Sequence, residues 1–403
     1  MVQKGLSGFF EKFLIKESIF QDRKTLQSNY TPEVIPHRDQ QIQQIAAILA
    51  PSLRLDKPSN LFVYGKTGTG KTLSIKYTTN QILEIASQRI LPIKIFYINC
   101  KLKRVADTEY RLIAQLCREF GKEIPVTGLP TDEIYKIFFA TIDQEKQIII
   151  LILDEIDQLV KKTSDEILYN LTRINSELKQ SQISLIGISN DLVFTDSLDP
   201  RVKSSLSEEE IIFPPYNALQ IQHILKQRAK LAFKEGVIDE GVVEKCAAYA
   251  AREHGDARRA IDLLRVAAEI AERAGYTKVE VKHLDEAEEK IEHDRIMDVV
   301  STQPKQHQAI LFSIISIYIK RKDILFTGEI YELYKGICVQ AGLRPLTQRR
   351  VSDIIAELDM LGIINARVIS KGRYGRTREI AVCVPNSTTI KIKKTLEEGL
   401  DLA

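Results

Sequence analysis

The chain has 403 residues, enough for two or three domains that each bury a core. Hydrophobic residues make up 44% and charged residues 28%, which argues against disorder, collagen-like repeats and membrane residence. The net charge of +3 is unevenly spread: from residue 301 sixteen Lys and Arg face ten Asp and Glu, so the last quarter carries +6 and the first 300 residues −3.

The opening MVQKGLSGFFEKFLIKES has no uninterrupted apolar core and no small-residue cleavage site, so no signal peptide is expected and the protein is placed in the cytoplasm. Between residues 30 and 213, short β-branched runs alternate with helical patterns: LFVY at 61–64, IKIFYI at 93–98, IIILIL at 148–153 and ISLIGIS at 183–189, with IIF at 211–213 as a fifth strand. That alternation predicts an α/β domain with a parallel sheet covered on both faces. The longest aliphatic run, Ile148 to Leu153, is far too short to span a bilayer. The span from Lys101 to Gln147 exceeds what a parallel crossover needs and has room for an extra helix. From Asn217 to about His293 apolar residues recur only at helical spacing, which predicts an all-α domain. The polar STQPKQ at 301–306 reads as a linker, followed by helices over Gln308–Ile319, 327–340 and 347–361. Two strands, IINARVIS and TREIAVCV, then flank KGRYGR. Cys100, Cys117, Cys246, Cys338 and Cys383 form no CxxC pair and are expected as reduced, buried core residues.

After LFVY comes Gly65-Lys66-Thr67-Gly68-Thr69-Gly70-Lys71-Thr72, matching G-x-x-x-x-G-K-[ST] between a strand and a helix that Leu73 continues. Gly68 and Gly70 let the backbone wrap close to phosphate, and successive N–H groups, including that of Thr69, supply the field an anion needs. Lys71 would reach the β- and γ-phosphates of ATP, and the Thr72 hydroxyl would ligate Mg²⁺. IIILIL ends in Asp154-Glu155, where open α/β sheets bind ligands. Asp154 is expected to hold Mg²⁺ and Glu155 to polarise the attacking water, so hydrolysis to ADP is expected as well as binding.

With these motifs the chain resembles the AAA+ ATPases. The resemblance implies that Asn190, in GISND, is the sensor-1 residue at the γ-phosphate. It implies that Arg201, in LDPRVKSSL, is an arginine finger, and that Arg258, in HGDARRA, is the sensor-2 arginine. It also implies that Val34, Ile35 and His37, in VIPHRDQQ, line the adenine pocket.

Three helices followed by two strands around a basic tip form the pattern of a winged-helix module. Thr347, Gln348, Arg349 and Arg350 open its third helix, while Val351, Ile354, Ile355, Leu358 and Leu361 form an apolar stripe. Such a helix can place its first side chains in a major groove. The wing carries Arg367, Lys371, Arg373, Tyr374, Arg376 and Arg378, with no acid between 366 and 378, and suits a phosphate backbone or a minor groove.

The ordered set GKTGTGKT, LILDEID, GISND, DPRVKSSL and HGDARRA followed by a winged helix resembles the archaeal replication initiators related to the origin recognition complex and its helicase-loading partner. The resemblance implies an AAA+ domain over 1–215, a helical lid over 216–300 and a winged-helix domain over 301–403. It implies binding of double-stranded origin DNA, slow Mg²⁺-dependent ATP hydrolysis, recruitment of the replicative helicase, paralogous initiators as partners and a nucleoid-associated location. It further implies that the crossover at 101–140, with Lys101, Lys103, Arg104 and Arg111, is an insertion gripping DNA. The residues alone also fit a clamp-loader-like or branch-migration motor. They fit too a nucleotide-switched transcription regulator, although neither a repeat sensor domain nor a Gly-x-Pro lid signature of that class is visible.

Overall fold

The computed structural model describes residues 17–27, 30–101, 108–125, 128–163, 165–194, 198–206, 208–370, 376–384 and 386–402. They divide into two compact units that meet between Leu284 and Asp285.

The first unit is built on a parallel sheet of β1 (Leu61–Tyr64), β2 (Ile93–Asn99), β3 (Ile148–Asp154), β4 (Gln182–Ser189) and β5 (Glu209–Ile212), in the order β2-β3-β4-β1-β5. All seven β3 residues are buried. Alternation with period two then divides its side chains between two cores. Ile148, Ile150 and Ile152 pack with Ile45 and Ile75, from α1 (Asp39–Leu49) and α2 (Lys71–Arg89). Ile149, Leu151 and Leu153 pack with Leu112, Phe138 and Leu168 on the other face. In register, Tyr64 of β1 lies beside Ser189 of β4, and Asp154 of β3 lies beside Asn99 of β2 and Ile188 of β4. The segments that follow these strand ends therefore emerge along one edge of the sheet.

The crossover between β2 and β3 uses its room for an extra helix, holding two, α3 (Glu109–Glu119) and α4 (Thr131–Ile142); Lys103 and Arg104 lie outside the described residues. The expected fifth strand begins two residues earlier and ends one residue earlier, because Phe213 already packs under the sheet and Pro214 cannot continue a ladder. The sheet domain also holds α5 (Ile156–Thr163), α6 (Glu166–Arg173) and α7 (Pro200–Leu206), and three helices follow the sheet: α8 (Ala218–Ala232), α9 (Val242–Arg252) and α10 (Ala257–Ala274).

The long α11 (Val281–Ser301) contains the point where the two units meet. The stretch expected as a linker is only the turn between Ser301 and the start of α12 (Lys305–Arg321). The second unit continues with β6 (Leu325–Phe326), α13 (Thr327–Gln340), α14 (Gln348–Met360), β7 (Ile364–Ser370), β8 (Arg376–Val382) and α15 (Asn386–Gly399). Its strands form an antiparallel sheet in the order β6-β8-β7, completing a winged helix. Two of these elements were not anticipated. β6 has two residues, too few to show a period. α15 carries Ile392 and Leu396, Leu400 follows just past its end at the same spacing of four, and all three are buried in the winged-helix core. Leu361, expected in the buried stripe of α14, lies beyond the helix end and is exposed. Four of the five free cysteines are buried, but Cys383 is exposed. Among the described residues no helix is long and apolar enough to cross a membrane.

Candidate nucleotide site and nucleic-acid interface

A cleft of about 450 Å³ opens where the sheet edge meets the helical layer. Thr67 to Thr72, with Leu73, line one wall, Asp154, Glu155 and Asn190 another, and Val34 and Ile35 the far end. Arg258 enters from α10.

Lys71 is 5% exposed, and its ammonium donates to Gly65 O at 2.6 Å, Lys66 O at 2.8 Å and Asn190 Oδ1 at 2.9 Å. Burial pushes it down to about 8, against the opposing pull of Asp154. A desolvated ammonium with only neutral acceptors gains most from an arriving phosphate.

Gly68 has φ +71°, and a Cβ there would fall 1.7 Å from Asp256 Oδ1. Asp256 caps α10, accepting the Arg258 and Arg259 backbone N–H at 2.8 and 3.1 Å. The next amide, Ala257 N–H, donates to Gly68 O at 3.3 Å. The start of the helix that carries Arg258 thus rests on the phosphate loop. Only glycine provides both the left-handed backbone and the clearance.

Thr72 Oγ1 donates to Asp154 Oδ2 at 2.9 Å. A buried carboxylate beside a hydroxyl is a hard-oxygen pair that fits Mg²⁺, which favours such donors and keeps several waters. Glu155 adopts φ 55°, a left-handed conformation costing about 1–2 kcal/mol for a residue with a Cβ. Its carboxylate lies 3.8 Å from Lys101 Nζ at the start of the crossover.

Two expected residues lie outside the cleft. The His37 ring is not among the lining groups; it hydrogen bonds to His223 of α8 at 2.9 Å, and its pKa is lowered by burial and then by His223. Arg201 is exposed and pairs with Asp199 at 3.0 Å.

Several groups in or beside the cleft were not among the residues expected from sequence. Arg38, 2% exposed, donates to Thr69 O at 2.8 Å and Pro214 O at 2.6 Å, and its guanidinium lies 3.8 Å from the centre of the Tyr216 ring. It joins the phosphate loop to the chain that leads into α8. Arg228 lines the cleft 4.4 Å from the Tyr30 ring, and Tyr97 donates to Asp154 Oδ2 at 2.6 Å.

In the second unit Thr347, Gln348, Arg349 and Arg350 are exposed on the first turn of α14, with Thr347 Oγ1 accepting the Arg350 amide at 3.4 Å. The two arginines differ, for Arg350 pairs with Glu357 at 3.1 Å and the same carboxylate meets His307 Nε2 at 2.7 Å. Arg378 of β8 donates to Ser352 Oγ at 3.3 Å, fastening the wing strand to α14. Lys371, Arg373, Tyr374 and the Arg376 side chain lie outside the described residues.

The chain matches the family described as "AAA domain" over residues 54–193, "Cdc6 AAA+ ATPase-type lid domain" over 222–289 and "CDC6, C terminal winged helix domain" over 298–392. It is 53% identical to an ORC1-type DNA replication protein of Thermococcus onnurineus, covering 96% of this chain and 93% of that one. It is 50% identical to an ORC1-type DNA replication protein 1 of Archaeoglobus fulgidus, covering 98% and 95%. The chain belongs to the Orc1/Cdc6 family of replication initiators. The fold agrees: the Aeropyrum pernix ORC1 protein, solved in complex with DNA, superposes with a TM-score of 0.83 at 44% identity, covering 95% of this chain and 98% of that one. Membership makes this Orc1/Cdc6-type chain an AAA+ ATPase by family and assigns its second unit to the winged-helix class.

Proposed function

We propose that the protein recognises double-stranded DNA at replication origins, binds ATP with Mg²⁺, hydrolyses it slowly to ADP, and recruits the replicative helicase together with paralogous initiators. The observation that carries this reading is the convergence of Lys71, Asp154, Glu155, Asn190 and Arg258 on one cleft, in a chain that also holds a winged helix opening on exposed Thr347-Gln348-Arg349-Arg350. Thr72 and Asp154 are the Mg²⁺ ligands in this scheme. Bound there, Mg²⁺ would supply positive charge to the phosphate oxygens. Glu155 accepts a proton from the attacking water, Asn190 orients that water, and Arg258 holds the phosphates from the lid. Val34 and Ile35 line the adenine end, whereas His37 ties that segment to α8.

Slow turnover is supported by Arg201. An arginine finger is worth roughly 10³–10⁵ in rate, and Arg201 does not line its own chain's cleft. A chain acting alone lacks that charge at its γ-phosphate.

Nucleotide bridging the phosphate loop and α10 fixes the lid against the sheet domain, and this state biases how DNA is gripped. DNase footprinting on the origin DNA of the source genome, with ATP and with ADP, tests the reading. Protection confined to a few sites at replication starts is expected, whereas protection at many promoters overturns it in favour of a transcription regulator.

The basic wing and Arg349 meet phosphates. Replacing Arg373 and Arg376 with Ala is expected to weaken DNA binding at every sequence and to lower the slope of log K against log salt by about 0.9 per lost contact. An unchanged slope in a fluorescence-anisotropy titration removes the wing from the interface.

A further inference from the structure

We infer that Tyr97 is a positioning residue for the cation site: its phenol sets the orientation in which the Asp154 carboxylate, with Thr72, receives Mg²⁺. The inference rests on reading Thr72 and Asp154 as the cation's protein ligands, and it adds a residue that belongs to neither motif.

Among the described residues three groups donate to the Asp154 carboxylate. The Glu155 amide occupies Oδ1 at 2.9 Å, while Oδ2 accepts both Thr72 Oγ1 at 2.9 Å and Tyr97 OH at 2.6 Å. The first two follow from the chain turning after β3 and from the phosphate loop leading into α2. The third does not, because Tyr97 lies on β2, 57 positions before Asp154 in the chain. The β2–β3 register, with Asn99 beside Asp154, brings the phenol to the carboxylate. The ring is held in turn: Lys76 of α2 places its ammonium 3.8 Å from the ring centroid. Tyr97 is 37% exposed and lines the cleft, so its hydroxyl lies at the wall where the cation would sit.

Rotation about the last bond of an aspartate is loosely restrained, and a carboxylate held by its neighbours presents its free lone pairs in one direction. Partners that orient metal ligands are worth about 10–100-fold in metal affinity. Tyr97→Phe removes one oxygen and leaves the ring with its lysine contact.

The test measures nucleotide binding at graded free Mg²⁺ and in EDTA, with Mn²⁺ binding in the presence of ADP followed by electron paramagnetic resonance. For Tyr97→Phe the Mg²⁺ concentration at half-effect is expected to rise about tenfold, with matching loss of bound Mn²⁺. Nucleotide affinity in EDTA is expected to stay unchanged. A ring that only packs would leave the cation dependence at the wild-type value, and that result overturns the inference. If the wild-type protein binds nucleotide with no cation dependence, the assignment of Thr72 and Asp154 fails first, and the role of Tyr97 fails with it.

Discussion

Lys71→Ala is expected to weaken nucleotide binding by at least about 100-fold while leaving the fold intact. The ammonium is the one fully charged donor that the phosphate loop turns inward, and charge-assisted hydrogen bonds to phosphate contribute about 1.5–3 kcal/mol each. Two such bonds exceed the 2.7 kcal/mol that separates a hundredfold change in affinity. The fold does not depend on this charge in the same way. Burial already disfavours the ammonium, so truncation relieves a desolvation cost even as it leaves Gly65 O, Lys66 O and Asn190 Oδ1 to water. Thermal unfolding separates the two effects. Wild-type protein with nucleotide at 100 times its dissociation constant gains about 2.7 kcal/mol, whereas the variant at the same nucleotide concentration is expected to gain at most about 0.4 kcal/mol, so most of the thermal shift is lost. A retained shift would show that Lys71 does not contact the phosphates.

Glu155→Gln is expected to give the opposite separation, with nucleotide held and hydrolysis lost. Glutamine keeps the shape and the polar contacts but cannot accept a proton from water, and general-base catalysis typically contributes 10²–10⁴-fold. The pair with Lys101 is lost as well, but Lys101 is largely exposed and such a pair contributes little to stability. Removing a carboxylate beside Asp154 also lowers the repulsion felt by incoming phosphate, so affinity is expected to hold or rise. Single-turnover hydrolysis measured beside equilibrium binding checks both halves. Normal hydrolysis by the variant would remove Glu155 from the role of base.

How legible this site was in the sequence depended on whether its chemistry is contiguous in the chain. The phosphate loop is contiguous because one turn of backbone must wrap one anion, and Asp154 could be placed because an unbroken aliphatic run can only be a strand buried on both faces. Tyr97 reaches Asp154 only through strand register, across a separation of 57 positions. Arg38 looks like a surface arginine beside Asp39, and it is buried because two segments distant in sequence, the phosphate loop and the stretch from Phe213 to Tyr216, close over it. The ion pair of Arg350 was illegible for the same reason, since its partners lie two turns along α14 and on another helix. In the fold, α15 was readable from its spacing of four but followed a wing that drew attention to charge, whereas β6 is too short for any periodic signal.

The contact between Ala257 N–H and Gly68 O makes the helical lid part of the phosphate loop's own support. Affinity for nucleotide and closure of the lid are therefore linked reciprocally: whatever factor the closed lid adds to nucleotide affinity, bound nucleotide adds to the closed state. Dissociation must then carry the free energy of opening, which lengthens residence without altering the phosphate contacts. A protein built this way can keep one nucleotide far longer than a solvent-exposed phosphate loop would, and the lifetime of the bound state becomes a property of lid packing.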